Sequence, residues 1–205
     1  MGFLTIEPKL SNLFKLLSLL SPILLVFFMV MLSLFNQDIK GLVYLAGILV
    51  SSTVNIVAQH IIRSRPNEKA SIVCGVFTPS LLDSYNSPNS SSLLIAFTIA
   101  YLFLPMRFNN NMNYLVLIAL FCLFGIDAYT KVTSLCTPST GAFLGALLGF
   151  VLGTLWFTLF HMTGNDSLLY FDTYSSNRVF CEKPSKQTFK CKVYKNGQLI
   201  SSNIA

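Results

Sequence analysis

Arg63, Arg65 and Lys69 place three cations within seven residues, around Pro66. Guanidinium groups present paired N–H donors, so Arg63 and Arg65 have the chemistry of a phosphate clamp. The same charges at the end of an apolar segment also serve as a topology signal. Residues 86–92, NSPNSSS, read as a turn and the serine-rich start of a helix. There Ser90 and Ser91 either hold an anion against helix amides or act as ordinary N-caps. Ser52, Asn55, Gln59 and Arg63 recur at three- and four-residue intervals and share a helical face. Such a face makes interhelical hydrogen bonds or lines a substrate path. Asp127 and Lys131, four residues apart, can pair across one helical turn. The two histidines, His60 and His161, are too few for an imidazole metal site, and His60 reads as a packing or interface residue. No metal and no cofactor is expected.

The elements that must position these residues are apolar. Of 205 residues 53% are hydrophobic and 11% charged, against about 25% charged in soluble domains, which points to lipid as the solvent. Five hydrophobic segments, 17–35, 41–62, 91–106, 112–128 and 141–161, predict an all-α multi-pass transmembrane helix bundle over 17–163. Residues 1–16 form an interfacial amino-terminal segment in this reading, and 17–35 is a retained span rather than a signal peptide. The run 91–106 is short for a span, a deficit that burial within the bundle or local thinning can absorb. Gly141, Gly145, Gly149 and Gly153 repeat every four residues and predict a smooth face for close helix packing.

Residues 164–205 change composition and predict a small β-rich extramembrane tail. Residues 188–194 partly alternate, and Asn196-Gly197 is a hairpin signal. Five cysteines at scattered spacing do not form a disulfide framework, and only Cys181 and Cys191, ten residues apart, are expected to bridge. Asn165-Asp166-Ser167 matches a glycosylation acceptor. The net charge of +6 is divided among short loops and the tail, so anionic membrane lipids rather than nucleic acid are the expected partners. Lys9, Lys15, Arg63, Arg65, Lys69 and Lys131 fall on one side of the spans, and Lys40 and Arg107 in the short loops opposite. That bias predicts a cytoplasmic amino terminus and an exoplasmic or lumenal tail.

At the loop positions the chain resembles the membrane type 2 phosphatidic acid phosphatase superfamily over roughly residues 40–160. That family carries a lysine followed after six residues by arginine-proline, a proline-serine-glycine-histidine segment, and serine-arginine followed by histidine and then aspartate. Arg65-Pro66 resembles the end of the first motif, with Ala58 at its lysine position. Residues 88–92 resemble the second, with Ser91 replacing histidine, and Thr130-Lys131 resembles serine-arginine. Thr137 then stands in place of the nucleophilic histidine and Gly141 in place of its orienting aspartate. The resemblance implies the family's bundle, with one span fewer than its usual six, and phosphohistidine chemistry that threonine and glycine cannot perform.

The expected function is therefore a noncatalytic multi-pass membrane protein with a structural, assembly or headgroup-binding role. Its partners would be membrane lipids, a membrane protein or a second copy of the chain, including in a viral or internal membrane. Arg63, Arg65, Ser90, Ser91 and Lys131 are the candidate phosphate contacts. Two alternatives stand beside it. One is a lipid phosphatase or phosphotransferase using Ser91 or Thr137 unconventionally, and the other is a small-solute transporter using Ser52, Asn55 and Gln59.

Overall fold

A computed structural model describes residues 10–65, 74, 85–110, 112–169, 190–195 and 198–204, with 10–14 and the last two stretches described as backbone. Lipid offers a peptide backbone no hydrogen bonds, so apolar runs of about 20 residues must satisfy their own as helices. Among the described residues five helices are long and apolar enough to cross a membrane. They are α1 (Leu10–Phe35), α2 (Lys40–Ile62), α3 (Ser90–Phe108), α4 (Tyr114–Thr133) and α5 (Ser139–Met162). The chain is an integral multi-pass membrane protein with an all-α helix bundle.

The bundle is built around α3. Of its most apolar 18-residue window 67% is buried, against 17% for α4. The helix is longer than the apolar run alone suggests, because Ser90 begins it and Arg107 and Phe108 extend it. Interior position removes the need for a full lipid-facing band. Tyr44 on α2 meets Phe97 and Tyr101 on α3, with ring centroids 6.2 and 5.5 Å apart, and its hydroxyl lies 2.7 Å from Thr98 Oγ1. Met29, Phe157 and Leu169 join this buried cluster.

The glycine stripe of α5 faces α3. A Cβ at Gly153 would lie 2.7 Å from the Phe97 carbonyl oxygen, and Gly145 and Gly149 meet the carbonyls of Asn89 and Leu93 even more closely. Only a residue without a side chain permits this approach, and the stripe is thereby occupied within the chain.

Two readings of α2 are corrected. Its buried face runs through Gly41, Tyr44, Gly47, Ile48, Ser51, Asn55 and Gln59, so Ser51 rather than the half-buried Ser52 continues the polar stripe. Arg63 does not extend it, because α2 ends at Ile62 and Arg63 turns out in a left-handed conformation, φ 50°. At the other boundary α4 continues past residue 128 to Thr133, carrying Asp127 and Lys131 on one helix.

A disulfide joins Cys74 to Cys136, 62 residues apart, where scattered spacing had suggested no bridge in the body of the chain. Its partners become neighbours only through the helix arrangement, which sequence spacing does not report. The expected Cys181–Cys191 bridge and residues 1–9 of the interfacial segment lie outside the described side chains.

The chain divides into two compact units, Met1–Asp172 and Thr173–Ala205. In the second, β1 (Lys190–Lys195) and β2 (Gln198–Ile204) pair antiparallel, with Lys190 opposite Ile204 and an irregularity between Val193 and Tyr194.

Candidate functional site

Alternating helix direction brings the end of α2, the start of α3, the end of α4 and the start of α5 to one end of the bundle, beside the first turns of α1. Buried polar groups gather here because each helix terminus leaves backbone groups needing partners. Asn89, 8% exposed, caps α3 by accepting hydrogen bonds from the Ser91 and Ser92 amides at 2.9 and 3.1 Å. Those two amides are therefore engaged from within the chain. The Asn89 amide donates in turn to the Gly141 carbonyl at 3.0 Å, tying the start of α3 to the start of α5.

Asp127 is the centre of the cluster. Fully buried on α4, it accepts from Ser18 of α1 at 2.9 Å and Ser91 of α3 at 2.6 Å. Lys131, one turn further along α4, lies 3.6 Å from Asp127 Oδ1 and donates to the Ser91 hydroxyl. Ser91 Oγ also lies 2.8 Å from Asn89 Oδ1, so its single proton goes to Asn89 or to Asp127 while its lone pairs receive Lys131. A carboxylate without water must be paired and hydrogen-bonded, and here three helices supply the partners.

A second set of bonds fastens the segment preceding α3. Asn86 accepts from Ser64 at 2.9 Å, donates to the Cys136 carbonyl at 3.4 Å, and its own carbonyl accepts from Thr137 at 2.8 Å. Gln59 donates to the Pro88 carbonyl at 2.9 Å, and Asn55 to Ser90 Oγ at 3.0 Å. The Cys74–Cys136 bridge closes the same region.

Comparison with protein-family models, curated proteins and solved structures finds no match for this chain.

Of the candidate phosphate contacts, Ser91 and Lys131 meet directly, and Ser90 stands beside them on α3 held by Asn55. Arg63 and Arg65 are exposed, and Arg63 Nε turns back to the His60 carbonyl at 3.1 Å. Ala58 sits half-buried on α2, next to the hydrogen-bonded Gln59. Thr137 is buried, and a Cβ added at Gly141 would lie 2.6 Å from Thr137 Oγ1 and 2.9 Å from Ser87 Oγ. Thr137 and Gly141 are thus adjacent, in a space already filled. His60 is turned away, bonded through Nδ1 to the Ile56 carbonyl at 2.8 Å. Among the described residues no group of three His, Cys, Asp or Glu can hold a metal.

The cluster contains two hydroxyls suited in principle to attack, Ser91 and Thr137. A nucleophilic hydroxyl needs a neighbouring base. At Ser91 the group in reach with a lone pair for the proton is the Asp127 carboxylate at 2.6 Å, a weak base that is itself held by Ser18 and Lys131, whereas Lys131 as an ammonium offers only donors. Thr137 already gives its proton to a backbone carbonyl. An anion approaching Lys131 would also meet the Asp127 carboxylate that neutralises it. Asp127, Asn86 and Asn89 were not among the residues singled out for a site. The signals for them were the four-residue Asp127–Lys131 spacing and asparagine immediately before a serine-rich helix start.

Proposed function

We propose that this chain is a noncatalytic multi-pass membrane protein. Its inner polar cluster serves as a structural tie between helices, and its exposed Arg63 and Arg65 contact headgroup phosphates at the membrane boundary. The observation that carries this reading is Asp127, which occupies the anion position beside Lys131 and Ser91 from within the chain. In a family whose members it resembles at these positions, the corresponding groups would receive a substrate phosphate. Here a resident carboxylate takes those donors, and threonine and glycine stand where histidine and aspartate would be required.

The test is retention of phosphatidic acid, against diacylglycerol, by the purified detergent-solubilised protein under native mass spectrometry. Each basic residue near an anionic surface is worth about 1 kcal/mol, or about fivefold in affinity. Arg63→Ala combined with Arg65→Ala is expected to lower phosphatidic acid retention by more than tenfold, with diacylglycerol unchanged. Unchanged retention in the folded double variant would reject the headgroup assignment. Release of inorganic phosphate from phosphatidic acid, lost in Ser91→Ala or Thr137→Ala, would favour an enzyme instead.

A further inference from the structure

The Cys74–Cys136 bridge bears on which side of the membrane the polar cluster faces. From it we infer that the end of the bundle carrying Ser91, Asp127 and Lys131 lies in an oxidising compartment. The headgroups its rim meets are then those of the exoplasmic or lumenal leaflet. The second statement rests on the headgroup role proposed above, whereas the first does not.

Bridging two thiols removes two electrons and two protons. Thiol–disulfide exchange passes them to a disulfide-donating oxidoreductase, a chemistry of secretory compartments that the cytosol opposes. The bridge belongs to the cluster's own end of the molecule. Cys136 immediately precedes the buried Thr137, and its carbonyl accepts from Asn86, which also binds Ser64 beyond the end of α2. Both cysteines therefore lie on the side where α2 ends and α3 begins, and an odd number of crossings leaves the segment after α5 on the other.

This orientation is the reverse of the one expected from loop charge. The charge bias is weaker in the folded chain than in the bare sequence. Lys131 lies within α4 paired with Asp127, so it is not a loop charge. On the opposite side Arg178 follows the end of α5 closely enough to join Lys40 and Arg107, with Lys183, Lys186, Lys190, Lys192 and Lys195 beyond it. A small excess of cations sets a preference, whereas a stable disulfide in the body of the chain points to an oxidising compartment.

The full chain expressed in a eukaryotic secretory membrane provides the test. Thiols are trapped in intact membranes with a maleimide that adds mass, with and without prior reduction. In parallel, a flexible extension bearing a glycosylation acceptor is fused to one terminus or the other. Cys74 and Cys136 are expected to react only after reduction, the amino-terminal extension to carry a glycan, and the carboxyl-terminal extension to remain unmodified. Free thiols at both positions in unreduced membranes, or a glycan on the carboxyl-terminal extension, would overturn the inference. Retention of phosphatidic acid by purified protein does not depend on orientation, so loss of the headgroup reading and loss of this one are separable.

Discussion

One oxygen of the Asn89 side chain serves two backbone amides and the Ser91 hydroxyl. Replacing an N-cap by alanine costs about 0.5–2 kcal/mol, and burial of the two amides argues for the upper part of that range. Asn89→Ala is therefore expected to lower stability by about 2 kcal/mol in a detergent unfolding titration, and Ser90→Ala by about 1 kcal/mol because it leaves the buried Asn55 amide without its acceptor. Ser18→Ala removes one interhelical bond to Asp127 and is expected to cost about 1 kcal/mol in the same titration. At this scale the sequence was partly legible. The Asp127–Lys131 spacing was visible, as was the serine-rich start of α3. The contribution of Ser18, 109 residues from Asp127, was not, because no local pattern marks a serine in an apolar run as a partner for a distant carboxylate. The register of the α2 stripe is not legible in the sequence for a related reason. Ser51 and Ser52 are adjacent and chemically identical, and only packing within the bundle decides which one turns inward.

Between elements the decisive contact is α3 against α5. The four glycines announced a close approach in the sequence, but they did not name the neighbour. Gly149→Ala is expected to force α5 away from the Leu93 carbonyl and to cost about 1–3 kcal/mol, the range for overpacking a filled contact. Gly125 on α4 is the control, since a Cβ there meets nothing within 4 Å. In a helix interior Gly→Ala at an open position gains about 0.5–1 kcal/mol, so Gly125→Ala is expected to raise stability. Comparison of the two unfolding midpoints checks both. If Gly149→Ala is as stable as Gly125→Ala, then α3 and α5 do not approach as closely as described. Segment positions were readable from hydrophobicity, and helix ends less so. The end of α4 extends beyond the apolar run because pairing of the buried Asp127 with the half-buried Lys131 makes a polar turn tolerable there.

Across the whole bundle, a disulfide and a small number of buried hydrogen bonds centred on Asp127 hold together helices whose outer faces are lipid-soluble. The disulfide spans a sequence separation of 62 residues, and closing a loop of that size is worth about 4 kcal/mol in the chain-entropy account. Cys74→Ser is expected to lose about 2–4 kcal/mol, and reduction of the wild type should reproduce the loss, as read from unfolding with and without reductant. The membrane class and the number of helices follow from composition. The convergence of Ser18, Ser91, Asp127 and Lys131 required three-dimensional positions, and it turns a set of phosphate-binding candidates into an internal tie. The measurement that tests this most directly is a double-mutant cycle on Asp127 and Lys131, read as unfolding free energy in detergent. Lys131→Met alone leaves a buried carboxylate without its cation and is expected to cost about 3–5 kcal/mol, whereas adding Asp127→Leu should restore much of the loss. Additive effects, or a Lys131→Met variant as stable as wild type but unable to retain phosphatidic acid, would contradict a structural tie and return Lys131 to a ligand-binding role.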